Sequence, residues 1–295
     1  GLDELMGGGI PIGDAVMIAG PTGTGKTTFA AQFVEAAGRN GESVVVAVFE
    51  EYPEEYLARL QAREGIDDMN RDGRLKLIYL RPLDLSVDET LSEIMDGVEA
   101  IGATRVVIDS LSGFEVALAP AFREDFRESL YRLVGALTAT GVTVYMTSEV
   151  VGGYPALNFT NDRVSFITDD VISQRYVEID GHLQKMLVVV KMRGSEHSTE
   201  FRTYELGPDG AIVGGPLSGY RGILTGIPEL QSIPDEPGDR PDVEAHVTMT
   251  VYFTDREPAG PYRVAVPARR TRHVRFNELR DPEPIPRATS SIQRA

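Results

Sequence analysis

Between residues 14 and about 206, short runs of Val, Ile and Ala alternate with longer stretches in which apolar positions recur every three to four residues. Uninterrupted apolar runs suit strands covered on both faces, and the longer spacing suits the helices that cover them. The pattern predicts strands over 15–19, 43–49, 75–80, 105–109 and 142–147, with helices over 26–37, 53–62, 87–101 and 122–140 between them. Three further strand-like stretches, 171–179, 184–192 and 199–206, follow one another through short polar turns such as Asp180-Gly181. Such a meander predicts an antiparallel extension of the sheet. The expected fold is α/β, a three-layer αβα core with a C-terminal antiparallel extension and a small β-rich end.

The pattern breaks after Gly226. Residues 232–241, Ser-Ile-Pro-Asp-Glu-Pro-Gly-Asp-Arg-Pro, are too rich in proline and charge for a helix or a central strand. The expected organisation is one domain over 1–230, a linker over 231–242, and a β-rich piece over 243–295.

Composition narrows the function classes. The 295 residues are 42% hydrophobic and 25% charged, and no apolar run approaches the roughly 20 residues that cross a bilayer. A membrane-embedded protein is not expected. Cysteine is absent, which excludes disulfides and thiolate metal sites and fits a cytoplasmic location. No signal peptide is legible, and without an initiator Met the chain is expected to begin inside a longer sequence. The net charge is -16, and Lys26, Lys76, Lys185 and Lys191 are the only lysines. An acidic, lysine-poor chain disfavours nucleic acid, whose binding depends on neutralising phosphates.

The chemistry starts at Gly20-Pro21-Thr22-Gly23-Thr24-Gly25-Lys26-Thr27, set between a predicted strand and a predicted helix and followed by Thr28. Gly20, Gly23 and Gly25 fall where a backbone must turn tightly to bring its N–H groups against phosphate oxygens. Lys26 would reach the terminal phosphates of ATP, and the Thr27 hydroxyl would ligate Mg²⁺. The strand Arg105-Val106-Val107-Ile108-Asp109 ends in a carboxylate that could hold the same Mg²⁺ through water. Glu50 and Glu51 close the strand 43–49. That strand's carboxyl end is expected beside the phosphate loop, where one carboxylate could activate water. The pair could equally be a solvated acidic start to the next helix.

Taken together these motifs resemble the KaiC-like ATPases of the RecA superfamily, over about residues 1–228. The resemblance runs through Gly1-Leu2-Asp3-Glu4-Leu5-Met6-Gly7-Gly8-Gly9, the phosphate loop, Phe49-Glu50-Glu51, Ile108-Asp109-Ser110 and Met146-Thr147-Ser148-Glu149. Its most specific stretches are Ile167-Thr168-Asp169, Arg175-Tyr176-Val177-Glu178-Ile179 and Val190-Lys191-Met192-Arg193-Gly194-Ser195-Glu196-His197. The resemblance implies a RecA-like P-loop core and makes Glu50 and Glu51 the catalytic base pair. It implies that Lys191 and Arg193 reach across a subunit boundary to a neighbour's γ-phosphate, and that Ser148, Arg175 and His197 lie near nucleotide. A homo-oligomeric ring follows, usually a hexamer, with ATP between subunits and a signalling or regulatory role. A weak Ser/Thr autokinase activity is a further implication. Of the family's adjacent Ser-Thr acceptor pair only Ser165 is kept, with Phe166 in the second position.

The C-terminal piece resembles the sensory rhodopsin transducer family through residues 250–258, 260–263 and 266–276, and the likeness ends after Pro286. The alternative function is a RecA-type DNA recombinase. Its DNA-binding loops would fall in 150–169, where Arg163 is the only cation.

Overall fold

The computed structural model describes residues 1–80, 86–117, 126–150, 167–223 and 228–230, and the structural statements below concern these residues. The chain divides into two units, Gly1–Ser232 and Ile233–Ala295, and every described residue belongs to the first.

The elements in chain order are α1 (Leu2–Leu5), β1 (Ala15–Gly20), α2 (Lys26–Arg39), β2 (Val44–Val48), α3 (Pro53–Gln61), α4 (Ile66–Arg71), β3 (Leu75–Tyr79), α5 (Val87–Ile101), β4 (Arg105–Asp109) and α6 (Leu111–Ala117). They continue with α7 (Phe126–Ala139), β5 (Thr143–Glu149), β6 (Asp170–Ile179), β7 (His182–Lys191), β8 (Arg202–Gly207), β9 (Gly210–Pro216) and the short pair β10 (Tyr220–Arg221) and β11 (Glu229–Leu230). Nine strands form one sheet in the order β3-β2-β4-β5-β1-β6-β7-β8-β9. The first six are parallel, and the direction alternates from β7 onward. The α/β core with an antiparallel extension is therefore present. The extension starts one strand later than the meander pattern suggests, because β6 pairs in parallel with β1 before turning back into β7.

Alternation along the strands builds two cores. Met17, Val45, Ala47, Val106 and Ile108 face one layer with α5, α6 and α7. Val16, Ile18, Val44, Val46 and Val48 face the other with α2, α3 and α4. A strand buried on both faces must be apolar at every position, and each fully buried valine contributes roughly 1.5–3 kcal/mol. Helix ends are set locally. Ser86 and Glu89 form a reciprocal capping box on α5, and Gly102, left-handed at φ 58°, ends it. The second core also holds the sheet extension against α2. Gln32 bonds both backbone groups of Ala211 in β9, and Glu35 bonds Arg63, which reaches the carbonyl of Asp209. Among the described residues no helix is long and apolar enough to cross a membrane.

Candidate functional site

The phosphate loop leaves β1 at Gly20 and enters α2 at Lys26. Gly23 and Gly25 are left-handed, at φ 77° and 91°. At Gly23 the positive φ favours glycine, and a Cβ there, 2.7 Å from the Tyr176 hydroxyl, would displace that hydroxyl. The first turn of α2 carries no acidic residue, leaving its positive end open to an anion. Thr27 and Thr28 lie half-buried in that turn. Lys26 folds back into the loop, where Nζ donates to the carbonyls of Gly20 and Pro21 at 2.9 Å each. Burial lowers its pKa, and the carboxylates of Glu149, Asp109 and Glu50 oppose that shift. Loop carbonyls are also held by hydroxyl donors. Thr24 Oγ1 donates to Pro21 O at 2.8 Å, the Tyr176 hydroxyl to Thr22 O at 3.2 Å, and the Tyr204 hydroxyl to Thr24 O at 2.7 Å.

Four parallel strands end almost level above this loop. Val48 pairs with Asp109, Ile108 with Met146, and Gly20 with Glu149. Asp109 is held on both oxygens, Oδ1 by the Thr147 hydroxyl at 2.5 Å and Oδ2 by the Tyr56 hydroxyl at 3.1 Å. Burial and then the Asp109 charge raise the Tyr56 hydroxyl well above the usual tyrosine pKa, so it stays a donor.

Glu50 and Glu51 are separated by their partners. Glu50 Oε1 accepts from the Ser110 hydroxyl at 2.8 Å, which in turn accepts from Gly113 N at 3.0 Å, while Glu51 pairs with Arg59 on α3. One expectation needs correction. The end of β2 is not beside the phosphate loop in the sheet, because β4 and β5 stand between β2 and β1. Glu50 still acts on Lys26 electrostatically, across the strand ends.

The oxygen donors fit Mg²⁺. Among the described residues no group of three or more His, Cys, Asp and Glu could hold a metal alone. Mg²⁺ is ordinarily held by one or two protein oxygens together with phosphates and water, and Thr27 and Asp109 could supply these.

The remaining site residues divide by register. Ser148 pairs with Ala19 and is buried at the carboxyl end of β5; by alternation it points to the sheet face opposite Thr147. Arg175 lies at the loop end of β6, beside Tyr176. Lys191 and Arg193 sit at the other end of the sheet. Val171 pairs with both Met17 and Lys191, and Lys191 Nζ donates to Thr168 O at 2.5 Å. Arg193 pairs with Asp169 Oδ1 at 3.0 Å, and Asp169 Oδ2 accepts from the first residue of β1, Ala15 N, at 3.0 Å. Asp14 and Asp170 lie in the same group; burial and then the Asp14 charge push the Asp170 carboxyl up to about 6. His197 follows in a segment held near α1 by the bond from Ser198 N to Leu5 O at 2.8 Å. Ser165 lies outside the described residues.

A phosphate loop on β1, an acidic strand end two strands away and parallel strands ordered around them define a P-loop ATPase core of the RecA type. The sequence profile of the ATPase family described as KaiC matches residues 1–218, and that of the Anabaena sensory rhodopsin transducer matches residues 239–292, past Pro286. Similar proteins include circadian clock protein KaiC3 of Synechocystis, 33% identical over 230 residues, which are 77% of this chain and 45% of that protein. Another is the circadian clock oscillator protein KaiC of Acaryochloris marina, 31% identical over 241 residues, 81% of this chain and 45% of that one. This chain thus spans about half the length of these relatives. The crystal structure of a KaiC-like protein from Pyrococcus horikoshii superposes with a TM-score of 0.64 at 32% identity, covering 73% of this chain and 95% of that one. The chain belongs to the KaiC-like ATPases of the RecA superfamily.

Proposed function

We propose that this chain hydrolyses ATP in a site completed by a second copy of itself, as a homo-oligomeric regulatory ATPase. The observation that carries the reading is the separation of its two cationic groups. Lys26 lies at the carboxyl end of β1, whereas Arg193 binds Asp169, which holds the first residue of β1, and the Lys191 ammonium binds the carbonyl of Thr168, just before Asp169. Six residues of β1 intervene, about 17 Å of strand. That separation argues against a role for Arg193 at the ATP of its own loop and supports one at a neighbour's.

Within the site Lys26 leaves the loop carbonyls for the terminal phosphates, and the N–H groups of the loop and of the first turn of α2 take the remaining oxygens. Thr27 and Asp109 would hold Mg²⁺, which when bound neutralises charge between the β- and γ-phosphates. Glu50, kept in place by Ser110, takes the proton of the attacking water, and Glu51 is tied to Arg59. Lys191 and Arg193 of the adjacent subunit stabilise charge developing on the transferred group. The family likeness supports Ser148 and Arg175 as contacts for the nucleotide of their own subunit, and His197 for that of the next. A ring of six is the assembly expected.

Sedimentation with ATP or ADP, alongside phosphate-release assays of the wild type and Lys26→Ala, tests the reading. Assembly of the wild type that is favoured by ATP, and loss of hydrolysis in Lys26→Ala, are expected. A wild-type chain that hydrolyses ATP as a monomer would overturn it.

A further inference from the structure

Gln174 is the polar side chain of β6 buried at the root of the phosphate loop. It is 1% exposed, and neither its Nε2 nor its Oε1 has a hydrogen-bond partner among the described residues. Burying an amide in this condition is unfavourable, and a leucine-sized apolar side chain would meet the packing need without that cost. Its position is fixed by the sheet. Ser173 pairs with Ala19, so Gln174 lies level with Gly20. A Cβ on Gly20 would sit 2.7 Å from Gln174 Cβ and 2.9 Å from its carbonyl oxygen.

The underside of the loop is served by a row of donors, carbonyl by carbonyl. Tyr204 serves Thr24 O, and Tyr176, two residues beyond Gln174 on the same face of β6, serves Thr22 O. Gly20 O and Pro21 O, at the root, instead accept from the Lys26 ammonium at 2.9 Å each. Gly20 O keeps a second donor in Val150 N at 3.2 Å, and Pro21 O keeps Thr24 Oγ1 at 2.8 Å. When Lys26 moves to phosphate, both carbonyls lose their charged donor. An amide is suited to replace it, since it donates without adding a charge that would compete with Lys26 for phosphate.

We propose that Gln174 is a positioning residue of the phosphate site, its amide donating to the Gly20 or Pro21 carbonyl that Lys26 gives up when nucleotide binds. The loop then keeps its backbone in place while the ammonium changes partners. This inference rests on the reading of Lys26 as the phosphate-binding cation.

The test uses the full chain with ADP and Mg²⁺, measuring calorimetric affinity and the melting temperature with and without nucleotide. In Gln174→Met, similar in size but without the amide, the unliganded protein melts at or above the wild-type temperature because an unpaired buried group has gone. Its ADP affinity falls by about 2- to 12-fold, the worth of one net hydrogen bond, and the ADP-induced rise in melting temperature shrinks. Gln174→Leu, which has neither donor nor acceptor, weakens ADP at least as much. ADP binding at wild-type strength in either variant overturns the proposal, as does a Gln174→Met protein that melts lower without nucleotide and keeps the full ADP-induced rise. Lys26→Ala separates the two levels of argument. If it loses ADP while Gln174→Met binds normally, the role of Gln174 fails and the phosphate site stands. If Lys26→Ala binds ADP like the wild type, the phosphate site itself is wrong.

Discussion

Arg193→Ala and Lys26→Ala, each expected to be inactive, should recover activity when mixed. Arg193→Ala keeps the whole loop side of the site, while Lys26→Ala keeps the arginine proposed to serve a neighbour. Loss of the arginine is expected to lower turnover by about 10³ to 10⁵, or roughly 4–7 kcal/mol of barrier. The fold is not at risk, because the Arg193–Asp169 pair is exposed on the arginine side and such pairs are worth at most about 1 kcal/mol. In an equimolar mixture that reassorts at random, about a quarter of the interfaces join an intact loop to an intact arginine. Phosphate release should then rise to about a quarter of the wild-type rate, peaking at equal amounts and falling toward either pure variant. The assay is steady-state phosphate release across mole fraction at fixed total protein, after the subunits have exchanged. A mixture that never exceeds the summed activities of its components refutes a site shared between subunits. So does an Arg193→Ala protein that hydrolyses ATP normally.

The two glutamates should separate in the same assay. Glu50→Gln is expected to lower kcat by about 10²- to 10⁴-fold, the usual worth of a general base, and Glu51→Gln by far less because its carboxylate is tied to Arg59. Thr147→Val removes a buried donor from Asp109 and should cost about 1.5–3 kcal/mol in urea unfolding, with more Mg²⁺ needed for half-maximal activity. Asp170 supplies a pH test. Its carboxyl is raised from 3.8 to about 6, so the folded chain holds the proton more tightly than the unfolded one, and stability is lost as pH rises from about 4 to about 6. Asp170→Asn should remove that decline, which amounts to about 3 kcal/mol, and be more stable than the wild type at pH 7; equal slopes in the two proteins would show the assignment to be wrong.

What the sequence disclosed follows from how local each signal is. The strands from Ala15 to Glu149 were legible within one or two residues, because a strand buried on both faces must be apolar throughout. The short helices α4 and α6 and the edge strand β9 were not expected. Six or seven residues give too little periodicity, and β9, with exposed Ile212 and three glycines, carries no apolar alternation. The phosphate loop is contiguous and could be read directly. Its supports could not: Tyr56, Tyr176 and Tyr204 reach it or Asp109 from distant elements. Thr147 was the one available clue, a hydroxyl in the buried body of an apolar strand. Strand order was likewise invisible, so the carboxyl end of β2 was expected beside the phosphate loop although two strands separate β2 from β1.

The placement of Lys26 and Arg193 at opposite ends of β1 has a consequence for assembly itself. An interface that joined one end to the other would be directional, and copies would add head to tail. In an open row the first member would hold a phosphate loop that nothing completes, and the last an arginine with nothing to act on. A row of n copies has n − 1 working interfaces; closing it adds the missing one without adding a subunit. Ring closure would therefore register in the catalytic output, and turnover per chain would report on whether the circle is complete.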